Sequence, residues 1–281
     1  GTNTINATIT WPDRVKWKDG TTPTLISNDH STAAQIFHLT TVDTGLIYRG
    51  WEEITYNPQL FKLFAWGGNN NPGMLGQNNN VSYSSPVQIG SSDEWTSLGV
   101  SGGNVLGTKK DSTLWSWGYN NSGMLGLNDT THRSSPVQIP GSWSKPFQGG
   151  EFTGALRTDG TLWLWGINER GQLGENLPTG TYRSSPAQVG TGTDWATMMG
   201  GNKRVLASKT DGSLWSWGYN NDGKLGLNEK PATANSRSSP TQIPGTWGTT
   251  KGKFSTANNA SFGIKSDGTL WAWGSNNMGT L

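Results

Sequence analysis

The sequence predicts an all-β protein, specifically a β-propeller, from three observations. A segment of the form Leu-aromatic-x-Trp-Gly recurs along the 281 residues. The spacing between its copies is 48 to 56 residues, counted between the tryptophans at positions 66, 117, 165, 217 and 273. The composition is turn-rich and aromatic, with 40 glycines, 16 tryptophans and 14% charged residues. A repeat of about fifty residues built on short strands is typical of propeller blades, whereas helical solenoids have other signatures.

The repeats predict about four and a half four-stranded blades, with the ring incomplete in this chain, which we expect to be a piece of a longer protein. We expect residues 1–50 to form a β-rich lead-in, with strands at Thr4–Thr10, Ala34–Thr41 and Gly45–Trp51. The blades are assigned to 51–94, 95–142, 143–194, 195–246 and a partial 247–281. Trp51 lies only 15 residues before Trp66, whereas 22 residues separate Trp95 from Trp117. The first unit is therefore predicted to lack one strand and its Asp-Gly turn.

Within a complete unit the pattern predicts four strands. For the unit 195–246 these are Trp195–Met198, Lys203–Lys209, Ser213–Tyr219 and Pro240–Ile243. Thr210-Asp211-Gly212 is predicted to form a type I′ hairpin turn with two positive φ angles. The alternative is that Asp211 has a catalytic role. Pro240 is predicted to begin its strand, since that is one of the few sheet positions that proline tolerates.

The tryptophans of the third strand are predicted to pack between blades. Trp115 and Trp117 point to one face of the strand, and Leu114 and Ser116 point to the other. An exposed sugar-binding platform is the alternative interpretation of these rings. In the third copy Leu164 lies at the position where the other copies have serine or alanine. This larger side chain predicts a locally wider interface between blades.

The segment between each Gly-x-Leu-Gly and the following Ser-Ser-Pro varies in length and content, and we term these segments the variable loops. They are Gln77–Tyr83, Leu127–Arg133, Glu175–Arg183 and Leu227–Arg237. Variation confined to one loop of a repeated unit indicates a face where a partner could bind. Aromatic, amide and guanidinium groups suit a polar partner such as a glycan. The candidate binding residues are Asn128, Asp129, His132, Arg133, Tyr182, Arg183, Asn235 and Arg237. The alternative is that the loops are merely solvated and the propeller is a spacer.

The charge and composition disfavour several functions. The net charge is +2 without a basic cluster, which argues against nucleic acid or an anionic membrane as the main partner. There is no cysteine, and the three histidines (His30, His38 and His132) lack companions for a metal site. No catalytic motif is present, so we expect neither an enzyme nor a cofactor. A site assembled across blades is the remaining enzymatic alternative. The sequence makes no prediction of the oligomeric state.

The repeat resembles the regulator of chromosome condensation family. The residues that carry the resemblance follow the pattern Asp-Gly-x-Leu-Trp-x-Trp-Gly-x-Asn-x-x-Gly-x-Leu-Gly, then Ser-Ser-Pro-x-Gln-Ile, over about 51–281. The resemblance implies a propeller, usually of seven blades. It also implies a role in guanine-nucleotide exchange, in inhibitory binding or as an interaction scaffold.

The lead-in carries a second resemblance. Residues 5–50 are similar to a β module of virion and tail-fibre proteins of tailed bacteriophages, on Trp11-Pro12, Val15-Lys16-Trp17, Pro23-Thr24-Leu25 and Asp43-Thr44-Gly45. This resemblance implies a non-enzymatic virion appendage that binds other virion proteins and a host surface glycan or protein. The alternative is an intracellular interaction propeller, such as a nucleotide exchange factor or a scaffold in the cytoplasm.

Overall fold

The structure is a computed structural model. It describes residues 61–69, 72–92, 94–101, 103–229, 236–248, 253–257 and 259–276, and one backbone strand at 35–39. The predicted strands at Thr4–Thr10 and Gly45–Trp51 lie outside the described residues, as does the virion-like module apart from that strand.

The described strands form five antiparallel sheets, which we number as blades 1 to 5. Blade 1 contains β1 (Gln35–Leu39), β2 (Lys62–Gly67) and β3 (Tyr83–Gln88). Blade 2 contains β4 (Trp95–Ser101), β5 (Asn104–Lys109), β6 (Leu114–Gly118) and β7 (Arg133–Ile139). Blade 3 contains β8 (Trp143–Gln148), β9 (Phe152–Arg157), β10 (Leu162–Asn168) and β11 (Thr181–Gln188). Blade 4 contains β12 (Trp195–Gly200), β13 (Arg204–Lys209), β14 (Leu214–Gly218) and β15 (Arg237–Ile243). Blade 5 contains β16 (Phe254–Thr256), β17 (Ala260–Ile264) and β18 (Leu270–Gly274).

The prediction of an all-β protein built from propeller blades is confirmed. In blades 2, 3 and 4 each strand pairs with the strand next to it in sequence, and the described sheets do not close into a ring. The first strands of successive blades, β4, β8, β12 and β16, contact one another and form the inner side of the arc. No α-helix occurs in the described ranges, and none of their helical turns has the length or apolar character to cross a membrane.

The up-and-down order of the strands gives the blades two different ends. The loop face carries the segments between third and fourth strands, such as 119–132 in blade 2. The hairpin face, at the opposite end, carries the turns between second and third strands, such as 110–113. The described parts of the variable loops therefore lie on the loop face.

Blade 1 includes a strand from the lead-in. In the described sheet β1 pairs with β2, with Gln35 opposite Trp66, at the position that the second strand occupies in blades 2 to 4. Residues 51–60 lie outside the described ranges, so the predicted lack of a strand in the first unit stays a prediction. The strand predicted at Ala34–Thr41 is thus present as Gln35–Leu39 and belongs to the sheet of blade 1. The division of the chain at residue 50 stays a prediction.

The hairpin turns differ from the predicted type I′ geometry. In the turn after β13, Gly212 donates its N–H to the Lys209 carbonyl at 3.2 Å, and only Gly212 has a positive φ, of 89°. Thr210, Asp211 and Gly212 therefore form a three-residue connection, in which a type I turn is followed by one left-handed residue. The Asp211 carboxylate accepts hydrogen bonds from the Ser213 N–H and hydroxyl at 2.8 and 2.6 Å. Asp211 is therefore a turn residue, as predicted, although the turn is not of type I′.

The fourth strands begin earlier than predicted. Strand β15 starts at Arg237, so Pro240 lies inside the strand and does not open it. The register shifts opposite this segment, between Ser216 and Gly218 of β14. Since β15 is the edge strand of its sheet, the missing N–H of Pro240 is tolerated beside the irregularity.

The second tryptophan of the third strand belongs to the core in blades 2, 3 and 4, whereas the corresponding Trp66 and Trp273 of blades 1 and 5 are partly buried. Trp117, Trp165 and Trp217 are completely buried, whereas the first tryptophan of each pair is only partly buried. The packing prediction is therefore confirmed for the second ring. The extra leucine, Leu164, is accommodated by Gly154, which lies directly opposite it where blades 2 and 4 have a leucine opposite serine. A Cβ at Gly154 would lie 2.3 Å from Leu164 Cδ2, so the space comes from the neighbouring strand.

Successive blades are joined through the Gly-x-Leu-Gly segments. The Trp165 indole N–H of blade 3 donates to the Met124 carbonyl of blade 2 at 2.9 Å. Gly126, with a φ of 69°, lies so near that a Cβ there would be 2.8 Å from Trp165 Nε1. The same joint recurs three times, at Trp117–Met74, Trp217–Gln172 and Trp273–Lys224. The predicted close approach of the backbone at these glycines is confirmed.

Candidate functional site

The variable loops are fastened to their blades by a buried asparagine. Asn120 is completely buried and accepts the Leu125 N–H at 2.8 Å. Its amide donates to the Asp129 and Thr131 carbonyls at 3.0 and 3.1 Å. Three other asparagines occupy the corresponding positions, namely Asn69, Asn168 and Asn220. These asparagines are structural, and they give each loop the same starting geometry.

An ion pair closes the base of each loop in blades 2, 3 and 4. Arg133 contacts Asp129 at 2.6 Å, and Arg183 contacts Glu175 at 2.7 Å. Arg237 contacts Glu229 in the same way. Burial opposes ionisation of Asp129, but hydrogen bonds from the Thr131 N–H and Arg133 outweigh it and lower the pKa of Asp129. We call each of these ion pairs a clasp. The three loops therefore have the same closure at their base and differ in length beyond it.

His132 and Tyr119 form a second contact in the loop of blade 2. Their rings stack with centroids 5.0 Å apart, and His132 Nδ1 accepts the Asn120 N–H at 2.9 Å. His132 therefore supports the loop from within.

The predicted binding residues lie on the loop face, but most are engaged within their own blades. Asn128 adopts a φ of 62° and donates its N–H to the Ser184 carbonyl of the next blade at 2.7 Å. Asp129, Arg133, Arg183 and Arg237 form the clasps described above. Tyr182 is 57% exposed and is therefore available for contact with a partner. Asn235 lies outside the described residues. The structure brings only Asn128 and Arg133 into one groove.

That groove, which we call the seam groove, runs between the outer strands of blades 2 and 3 and has a volume of about 510 Å³. It extends along β7 from the variable loop to Pro140 on the hairpin face. Its lining includes Leu127, Asn128, Arg133, Val137, Gln138, Arg157 and Pro186.

A second depression, the central groove, lies on the inner side of the arc and has a volume of about 460 Å³. It is lined by β4, β8 and β12, including Val100, Lys145, Phe147 and Met199. Neither groove was predicted. The first strands carry ordinary strand residues, so the sequence holds no signal for the central groove.

The hairpin face carries a repeated arrangement of a cation between two tryptophans. Lys109 lies 5.0 and 4.6 Å from the ring centroids of Trp95 and Trp115. The same position is filled by Arg157 in blade 3, Lys209 in blade 4 and Lys265 in blade 5. Such cation–π contacts stabilise the packing of partly exposed aromatic rings.

A buried arginine links blades 4 and 5. Arg204 Nε donates to Ser261 Oγ at 3.2 Å, and its terminal nitrogen donates to the Ala257 and Ala260 carbonyls at 2.5 and 2.6 Å. Burial lowers the pKa of Arg204 to about 10, so the side chain stays charged near neutral pH. The described residues contain no cluster of three acidic or histidine side chains placed to hold a metal ion.

Comparison with known proteins agrees with this architecture. The regulator of chromosome condensation (RCC1) repeat matches residues 111–156 and 211–256. No curated protein sequence matches the chain.

Three solved propellers superpose on the chain with a TM-score of 0.64 each. They are yeast RCC1 (Prp20) bound to Kap60 at 18% identity, Prp20p from Saccharomyces cerevisiae at 20% and human WBSCR16 at 21%. The matches cover 77–78% of this chain but only 54–59% of those proteins. At this identity the likeness establishes the fold, and the chain corresponds to a little over half of each structure.

Proposed function

We propose that the chain is a non-catalytic interaction propeller that binds a protein partner through its loop face. The observation that carries the proposal is the combination of a uniform frame with non-uniform loops. The buried asparagines and the acid–arginine clasps repeat from blade to blade, whereas the segments above them differ. A rigid scaffold that presents variable loops is a common basis of recognition.

A nucleotide exchange factor or scaffold is the first form of this function. The similar solved structures include Prp20p, whose binding properties to Gsp1p and histones were studied, and a complex of Prp20 with Kap60. A virion appendage is the second form, favoured by the resemblance of residues 5–50 to phage virion modules. In both forms a partner contacts the variable loops.

The test uses the exposed loop side chains and leaves the clasps intact. Val81 and Tyr182 are each 57% exposed, so Val81→Ser with Tyr182→Ser changes the contact surface with little effect on folding. The immobilised chain and this variant are compared for retention of proteins from candidate host extracts and for adsorption to bacterial cells. A control, Thr210→Ala, changes an exposed residue in the hairpin turn of blade 4, away from the variable loops.

We expect the double variant to lose the partner that the parent chain and the control both retain, with the same thermal unfolding midpoint in all three. Partner retention that is equal in the double variant contradicts the proposal. Release of a fluorescent nucleotide from small GTPases, accelerated by the parent chain, identifies the exchange-factor form. Adsorption to bacterial cells without such release identifies the appendage form.

A further inference from the structure

Arg157 differs from the other cations of the hairpin face. Its guanidinium carbon lies 4.9 and 3.9 Å from the ring centroids of Trp143 and Trp163. Lysine fills this position in blades 2, 4 and 5. A guanidinium is planar and presents its donors in a fixed fork, and two flanking rings restrict its rotation. Arg157 is thus held in one orientation before any ligand arrives.

The hydrogen-bonding capacity of Arg157 is unused. Across the described part of the chain, no hydrogen bond or ion pair engages its guanidinium, and its Nε is buried without an acceptor. Lys209, in the same position of blade 4, forms an ion pair with Asp194 at 3.1 Å. A buried donor without an acceptor is costly and calls for an explanation.

Asp159, a carboxylate whose pKa is affected by the charge of Arg157, has other hydrogen-bond partners. Asp159 accepts hydrogen bonds from the Thr161 hydroxyl and N–H at 2.6 and 3.0 Å. These bonds are the main cause of the lowered pKa of Asp159, and the charge of Arg157 contributes less. Asp159 is therefore occupied in the turn and forms no ion pair with Arg157.

The side chain of Arg157 lines the seam groove at its hairpin-face end. At the other end Arg133 is neutralised by Asp129, so the uncompensated positive charge lies at Arg157. Between the two ends the wall follows β7, an edge strand of seven residues, with Val137 and Gln138 among the lining side chains. The groove is therefore elongated, partly apolar and charged at one end.

We propose that the seam groove binds an extended acidic segment of a protein partner, with a carboxylate of that segment paired to Arg157. This inference rests on the proposed interaction function and names a site and a ligand chemistry for it. A carboxylate matches the fork of a guanidinium and forms charge-assisted hydrogen bonds with it. An extended chain matches a groove that follows a strand, and the uncompensated charge selects an acidic segment over a neutral one.

The experiment selects peptides on the full chain. A surface-displayed library of random peptides of seven residues, the length of β7, is sorted on the parent protein and on Arg157→Lys. The lysine variant retains the cation between the two rings, as in three other blades, and removes only the fork. We expect peptides enriched on the parent protein to carry Asp or Glu at one fixed position.

Binding of one enriched peptide is then measured by fluorescence anisotropy. We expect Arg157→Lys, and separately the amide version of the acidic residue, to weaken binding by on the order of tenfold. The two changes together should weaken it no further, because they remove the same contact. Gln138→Glu, at an exposed position on the groove wall, should also weaken binding by placing a negative charge beside the peptide.

Three results overturn the inference: no enrichment of any peptide, enrichment without an acidic position, and equal binding to the parent protein and Arg157→Lys. Retention of sialyllactose by the parent protein and its loss in Arg157→Lys would replace the peptide with an acidic glycan. If the peptide experiment fails and the loop-face test succeeds, only the seam groove is rejected as a binding site. Failure of the loop-face test alone withdraws the loop face as the contact surface.

Discussion

Substitution of Trp217 tests whether the buried tryptophan stabilises the contact between successive blades. Its side chain is completely buried between blades 3 and 4, and its ring centroid lies 5.9 Å from that of Trp195. Its indole N–H donates to the Gln172 carbonyl of the preceding blade at 2.9 Å. Trp217→Ala removes both the packing and this hydrogen bond, whereas Trp217→Phe retains much of the packing and removes the hydrogen bond.

The expected losses follow from these two contributions. Trp217→Ala should reduce the free energy of unfolding by about 3–5 kcal/mol, as for other aromatic-to-alanine changes in cores. Trp217→Phe should reduce it by about 1–3 kcal/mol, since the Gln172 carbonyl loses its donor in a buried place. Tyr119→Ala is the control, because Tyr119 is only partly buried and its main contact is the stacking on His132. Its loss should be about 1 kcal/mol.

Urea denaturation monitored by circular dichroism measures these differences through the midpoint and slope of the transition. Hydrogen exchange provides a local readout, and faster exchange after Trp217→Ala should be concentrated in β10 and β14. A loss for Trp217→Ala no larger than that for Tyr119→Ala would refute the assignment of the second tryptophan as the joint between blades.

Two further changes probe the joint and the hairpin turns. Gly174 has a φ of 71° and a Cβ there would lie 2.8 Å from Trp217 Nε1, whereas Gly180 has a φ of 86° and open space around it. Gly174→Ala should therefore lower the thermal unfolding midpoint much more than Gly180→Ala, and equal shifts would contradict the close contact. Hydrogen bonds from Ser213 lower the pKa of Asp211 below its ordinary value of 3.8, so their stabilisation is present above that value and is lost as the pH falls below it. Asp211→Asn should weaken the acid dependence of the urea midpoint below pH 3.8, and an unchanged dependence would show that the turn does not contribute.

The sequence predicts the blades well because their pattern is local. Alternation around Trp115 and Trp117 and the fixed glycines of Gly123-Met124-Leu125-Gly126 determine strand faces and tight turns without long-range information. The fully buried ring could not be distinguished from the partly buried one in this way. That difference arises because the Trp117 ring inserts against the preceding blade, a contact between residues 43 positions apart.

Other features depend on tertiary context. Pro240 is tolerated inside β15 because that strand lies at an edge with a shifted register, and neither property is visible in the local sequence. The pairing of Leu164 with Gly154 depends on the register of β9 and β10. Similarly, Arg157 occupies a lysine position, and only the structure reveals that it has no acidic partner and lines a groove. Half of the predicted binding residues proved to be clasp residues, because sequence variation alone does not distinguish residues at the base of a loop from those at its tip.

The most direct test of the loop-face account is site-specific photo-crosslinking to the retained partner. A benzophenone amino acid is placed at Tyr182 on the loop face or at Thr210 in the hairpin turn of blade 4, both of which are exposed. The account predicts a crosslinked complex from position 182 and none from position 210. A crosslink from position 210 with none from position 182 would contradict it.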